Sequence, residues 1–294
     1  VAALSGVGVM MALDIQFVDV FGAQALSGNP LAVVLDAQGM TAEQMQQLTR
    51  WLNLSECTFV LPVTDPAADY RVRIFTSERE MPFAGHPTLG TCHAWLAAGH
   101  TPKNAGHIVQ ECGVGLVTIA RQAGGRLAFA APALIKTGPA SGQELLQAQR
   151  LLGIRAEDIV EAAWIDNGPG WLGIRLASAE QVLALTPARS WPERIDIGVV
   201  GLHSAGAETA IEVRAFFSDQ HGAVVEDPVT GSLNASVAQW LTSTGVVQLP
   251  YLAAQGTCLG RQGRVYASQD ASGQIWIAGN TCTHVQGQLQ FEDV

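Results

Sequence analysis

No stretch of this 294-residue chain approaches the roughly 20 consecutive apolar residues that a membrane-crossing helix needs. Residues 1–10 are short and carry no lysine or arginine, so they do not read as a signal peptide. They read instead as an upstream extension or cloning remnant ahead of a natural start at Met11. Five cysteines (Cys57, Cys92, Cys112, Cys258, Cys282) are odd in number and never spaced CxxC, which predicts reduced thiols in a cytoplasm rather than a disulfide framework. Charged residues make up only 14%, and the net charge of −10 is spread rather than blocked, which argues against nucleic acid or an anionic membrane as partner. What the chain does have is apolar content: 48% at this length fills one large or two medium cores.

The organising stretch is residues 73–90, Arg73-Ile-Phe-Thr-Ser-Glu-Arg-Glu-Met-Pro-Phe-Ala-Gly-His-Pro-Thr-Leu-Gly90. It reads as a strand that breaks at Pro82 and restarts as a buried helix at Gly85-His86-Pro87, with Gly99 as its stop. Val72-Arg73-Ile-Phe75-Thr-Ser77 is echoed by Val213-Arg214-Ala-Phe216-Phe-Ser218, and each leads through a glycine-containing turn to a helix with Trp-Leu (Trp95-Leu96, Trp240-Leu241). Further matches keep the same order. Gly115 and Gly125 recur 148 residues on as Gly263 and Gly273, Gly85 recurs 146 on as Gly231, and Thr41-Ala-Glu-Gln44 recurs as Ser178-Ala-Glu-Gln181. The shared order predicts a duplication into two similar α+β domains, 11–132 and 133–294, divided near Pro132. Capping boxes at Thr41/Gln44 and Ser141/Glu144 start peripheral helices, with Met40 stapled onto Met45. The final strand, about 280–294, is free to pack back on the first domain.

Three places carry candidate chemistry. Glu56 lies in Leu54-Ser-Glu-Cys-Thr-Phe-Val-Leu61, whose apolar neighbours predict burial. A carboxylate in such surroundings is costly unless paired or protonated, and its pKa rises toward what a general acid/base needs. The same pattern fits a glutamate facing solvent at a strand end. Gly85-His86 and Gly231-Ser232 each open a helix, whose first N–H groups are unpaired and carry partial positive charge; facing each other, they make an anion-binding cleft. His86, and Asp227 in Glu226-Asp-Pro-Val-Thr-Gly-Ser232, serve equally well as capping or turn residues. Gly113-Val-Gly115 lacks the third glycine of a dinucleotide loop, and Cys282-Thr-His284 is half a metal site with no second cluster, so neither cofactor nor metal is expected.

Ser27-Gly-Asn-Pro30, Ser55-Glu-Cys-Thr-Phe59, Phe75-Thr76 with Glu80-Met-Pro-Phe-Ala-Gly-His-Pro-Thr88, and Glu226-Asp-Pro-Val-Thr-Gly-Ser232 stand in the order found in the PhzF-like phenazine-biosynthesis isomerases. From about Asp14 to the C-terminus the chain resembles that family, whose fold relatives include diaminopimelate epimerase and proline racemase. The resemblance implies two similar domains, each a curled sheet around a central helix, with the active site between them and no cofactor or metal. It implies that Glu56 transfers the proton, supported by His86, Asp227 and Ser232, with Gly85 and Gly231 binding substrate. The chain departs from the family at Cys57, where threonine is commoner. Strand alternation predicts that Cys57 faces away from Glu56. The epimerase relatives use a cysteine at each helix start, and neither start has one here.

The expected function is cofactor-independent isomerisation of a small carboxylic acid by a cytoplasmic homodimer. An epimerase or racemase of amino-acid-like substrates and a non-catalytic small-acid-binding protein are the competing readings.

Overall fold

In the computed structural model, which describes residues 10–292, the chain runs twice through one series of elements. The first pass is β1 (Met10–Val20), β2 (Asn29–Val34), α1 (Ala42–Leu52), β3 (Glu56–Leu61), β4 (Tyr70–Phe75), β5 (Glu80–Met81), α2 (Gly85–Ala97), β6 (His107–Cys112), β7 (Gly115–Arg121) and β8 (Leu127–Ala130). After β9 (Lys136–Pro139) and α3 (Gly142–Leu152) comes the second: β10 (Ile159–Asp166), β11 (Leu172–Leu176), α4 (Ala179–Leu183), β12 (Asp196–Leu202), β13 (Ile211–Ser218), β14 (Val224–Asp227), α5 (Gly231–Ser243), β15 (Tyr251–Gln255), β16 (Gly263–Gln269) and β17 (Ile275–Gly279). The chain then enters β18 (Thr281–Glu292). Residues 1–9, read above as an extension, lie outside the described residues.

The pairing pattern repeats with the elements. β1 is antiparallel to β2, β2 parallel to β3, β3 antiparallel to β4, β4 antiparallel to β5 and parallel to β6, and β6, β7 and β8 are antiparallel in turn. β10 to β17 make the same pairings in the same sense. Side chains repeat as well: Arg73 forks onto Glu80 at 2.7 and 2.6 Å, and Arg214 onto Glu226 at 2.9 and 2.7 Å. Each guanidinium also lies over the phenylalanine two residues on, Phe75 or Phe216. The two sheets join where β8 pairs with β17, and each half also takes in a strand from beyond the other's series. β9 pairs with β10, and β18 pairs along β1. The result is an α+β fold of two similar halves, each a sheet curled about a central helix, in the manner of diaminopimelate epimerase.

The helices divide by sequence into two kinds. α1, α3 and α4 lie on the outside, and the hydroxyls of Thr41, Ser141 and Ser178 accept from the backbone N–H three residues on. Met40 and Met45 both pack in the cluster between α1 and β1–β3. α2 and α5 carry no Asp, Glu, Lys or Arg and are buried along most of their length. They sit in one central cluster that includes Leu89 and Trp95 of α2 with Leu233 and Trp240 of α5. None of the described helices is long and apolar enough to cross a membrane.

Neither central helix has a side-chain cap, and the two meet N-terminus to N-terminus. A Cβ built on Gly231 would lie 3.0 Å from Gly85 Cα and 3.1 Å from the His86 nitrogen, while one on Gly85 would lie 2.7 Å from the Phe129 ring. Because the atoms facing Gly231 are backbone, they have no rotamer through which to yield. Gly231→Ala should therefore cost about 1–3 kcal/mol of overpacking, seen as a lower urea midpoint at unchanged slope. An unchanged midpoint would show that the helix starts are not held in contact.

Candidate active site

β3 begins at Glu56 after an αL residue, Asn53, closes α1, and strand alternation then decides where the next two side chains go. Cys57 is fully buried in the cluster under α1, where burial pushes its thiol up to about 12. Glu56 takes the opposite face and lines a cleft of about 700 Å³ to which both halves contribute; Ala84, Asp227, Thr230 and Ser232 line the same cleft.

The Glu56 side chain is 17% exposed, and its Oε2 makes no hydrogen bond among the described residues. Burial raises its carboxyl well above the ordinary value, and the charge of Asp227 adds to the shift. His86 Nδ1 lies 3.5 Å from Glu56 Oε2. Burial pushes that imidazole down to about 3, so the contact joins a neutral ring to a carboxyl rather than two charges, and a protonated Glu56 has Nδ1 as its acceptor. Among the described residues, His86 Nε2 is buried without a partner.

Asp227, at the end of β14, comes from the other half. Its Oδ1 accepts from Asn29 Nδ2 at 3.1 Å and Ser55 Oγ at 3.2 Å, and its Oδ2 from Thr230 Oγ1 at 2.5 Å. Burial still raises this carboxyl, to about 6, against those three donors. Glu56 and Asp227 titrate as an interacting pair, so the proton they hold belongs to both. Asn29 is completely buried and also donates to Val229 O at 3.0 Å, clasping the second half from the first. Its loop is fixed in turn by Asp19, whose Oδ2 accepts from Ser27 N at 3.0 Å and Oδ1 from Gly28 N at 2.8 Å.

Ser232 is the second residue of α5. Its Oγ accepts from Trp171 Nε1 at 3.1 Å, and its carbonyl accepts from Asn167 Nδ2 at 2.9 Å. Among the described residues the hydroxyl donates to nothing, which leaves its proton for whatever occupies the cleft. Gly85, His86 and Gly231 are buried behind the cleft wall. The expected gap between the two helix starts is closed by the glycine contact, so an anion reaches them only across the seam presented by Ala84, Thr230 and Ser232. Cys282 and His284 join no larger group of potential metal ligands among the described residues.

The six residues singled out from sequence thus gather at one seam, along with five others, Asn29, Ser55, Thr230, Trp171 and Asn167, that had no role in the sequence reading. Asn29 and Ser55 lie inside motifs already quoted, so their position was signalled and only their contacts were not. Thr230 lies in the fourth motif, and its bond to Asp227 was readable as an ordinary turn. Trp171 and Asn167 carry no local signal, since their contacts with Ser232 span more than 60 residues of sequence.

A family model described as "Phenazine biosynthesis-like protein" matches residues 18–287. "Antisense-enhancing sequence 1" of Schizosaccharomyces pombe is 35% identical over 92% of this chain and 96% of its own length. The trans-2,3-dihydro-3-hydroxyanthranilate isomerase of Pseudomonas fluorescens is 33% identical over 92% of this chain and 97% of its own. The crystal structure of a Bacillus anthracis phenazine biosynthesis protein of the PhzF family superposes with a TM-score of 0.79 at 23% identity, covering 95% of this chain and 99% of that one.

The raised carboxyl has a consequence for stability. A folded pKa above the unfolded one, ordinarily 4.5, gives stability that is full below that value and lost as pH rises through the folded pKa. Glu56→Gln cannot ionise and escapes the loss. In urea unfolding the variant should be more stable than wild type at about pH 8, with the advantage shrinking toward zero at about pH 4. A difference independent of pH would contradict the shift.

Proposed function

Because the chain belongs to the phenazine biosynthesis-like PhzC-PhzF family, whose characterised relatives include isomerases, we propose that it moves a proton on a small carboxylic acid in the cleft between its halves, without a cofactor, using Glu56 as general acid/base. The observation that carries this reading is the setting of Glu56: a mostly buried carboxyl in the cleft, against a neutral imidazole and a second carboxyl from the other half.

The chemistry follows from that setting. A substrate carboxylate lies across the seam, accepting from the Ser232 hydroxyl and from free N–H groups in the first turn of α5. The same donors stabilise the enolate-like charge that develops when a neighbouring C–H is broken. Asp227 strengthens Glu56 as a base by opposing a second negative charge beside it. Glu56 takes the proton from one carbon and returns it to another on the same face, as a single acid/base can. A two-base epimerase would need a second group on the opposite face. No cysteine stands at either helix start, and the thiol next to Glu56 is buried on the far side of its strand.

The relative's named substrate, trans-2,3-dihydro-3-hydroxyanthranilate, is the first compound to follow by proton NMR in deuterated water, ahead of a panel of small amino and hydroxy acids. On whichever acid turns over, Glu56→Gln should lower kcat by at least roughly 10²–10⁴-fold while binding changes little. Cys57→Ser should keep more than about a tenth of the activity, so that less than ~1.4 kcal/mol of the barrier depends on the thiol. Wild-type kcat in Glu56→Gln would remove Glu56 from the chemistry. Stoichiometric inactivation by iodoacetamide at Cys57, blocked by substrate, would favour the epimerase instead.

A further inference from the structure

The repeat gives Glu56 a counterpart. Phe75 of β4 faces Cys57 of β3 and Glu80 of β5, and Phe216 of β13 faces Ile197 of β12 and Glu226 of β14. The two forked arginine–glutamate pairs fix the same register independently. Cys57 therefore matches Ile197, and Glu56, the first residue of β3, matches Asp196, the first residue of β12. Both line the one cleft, and their side chains are similarly buried, 17% and 12% exposed.

Two contacts locate the symmetry. Gly85 touches its own counterpart Gly231, and in the β8–β17 pairing Phe129 faces Ile277, its own counterpart at the 148-residue offset. Contacts between equivalent residues are what a two-fold axis produces, here relating the halves of one chain. Glu56 and Asp196 therefore reach the cleft from opposite sides of that axis.

Their surroundings make them different tools. Glu56 has a neutral ring and another acid beside it, whereas Asp196 Oδ2 accepts from Arg194 Nε at 2.9 Å. Asp196 Oδ1 takes no hydrogen bond among the described residues. Burial pulls this carboxyl up and Arg194 pulls it back, so it is the weaker base of the two. An ionised carboxylate offers acceptors only, and the complement of a free acceptor is a donor on the ligand. We propose that Asp196 is a substrate-binding carboxylate that selects acids bearing an amino or hydroxyl group, received by its free Oδ1 on the side of the cleft opposite Glu56. This assignment deepens, and rests on, the carboxylic-acid reading of the cleft: one end of the substrate lies on the α5 start and a donor lies on β12.

Calorimetric titration of the full chain with cyclohexanecarboxylate and its 2- and 3-amino and 2- and 3-hydroxy derivatives tests it. At least one substituted acid should bind wild type about tenfold or more tighter than the parent acid, as a charge-assisted hydrogen bond allows. Asp196→Ala should bring that ratio within about threefold, whatever the freed Arg194 does to the affinity for the parent acid. Asp196→Asn keeps an oxygen but not the charge, and it covers the case in which the alanine variant does not fold. It should abolish a preference for an amine and spare one for a hydroxyl. Ser232→Ala should weaken every member alike, which reports on the carboxylate reading alone. A ratio unchanged in both Asp196 variants overturns the role of Asp196 and leaves the site standing; failure of every acid to bind wild type overturns both.

Discussion

Two glycines in contact set the terms for the rest of the molecule. Gly85 and Gly231 bring the starts of α2 and α5 to van der Waals distance, and no other residue fits at either position without moving backbone or the Phe129 ring. Each helix start carries partial positive charge, so the contact places two like ends together. Burial of both helices in the shared central cluster offsets that repulsion. The same contact explains why these two helices, unlike α1, α3 and α4, have no side-chain cap. A capping hydroxyl would satisfy the N–H groups that the proposed substrate carboxylate needs.

Around that contact the two halves exchange polar groups rather than merely abutting. Asn29 reaches from the first half to Asp227 and Val229 of the second, and Ser55 reaches to Asp227. Asp227 in turn adds its charge to the burial that raises the proton affinity of Glu56. Any movement of one half against the other therefore changes the titration of Glu56 as well as the shape of the cleft. The arrangement costs stability at neutral pH, because two carboxyls are held where both cannot easily ionise. That cost is the usual accompaniment of a working acid/base.

Much of this was readable in the chain. The Val-Arg-x-Phe echo and the glycine offsets predicted the duplication, and residues 115–129 and 263–277 do occupy equivalent strands. The two capping boxes gave the starts of α1 and α3, because a cap is local chemistry within four residues. Alternation along β3 placed Cys57 away from Glu56. What did not show was everything that depends on long-range register. The exchange of β9 and β18 between halves is invisible in periodicity, since either strand could pair at several edges with the same face buried. Asn29 looked like turn chemistry, and its bond to Asp227 spans 198 residues. Asp196 lies in no shared motif; only the strand pairings show that it stands where Glu56 stands.

The proposed proton transfer turns on one physical quantity, the proton affinity of Glu56 in the free protein. Carbon-13 NMR of chain labelled at the glutamate side-chain carboxyl, with Glu56→Gln to assign the resonance, measures it directly. Glu56 should titrate well above the ordinary 4.5, and Asp227→Asn should move its midpoint down by removing the neighbouring charge. A Glu56 that titrates at its ordinary value, unmoved by Asp227→Asn, would contradict the coupling across the seam and the acid/base role built on it.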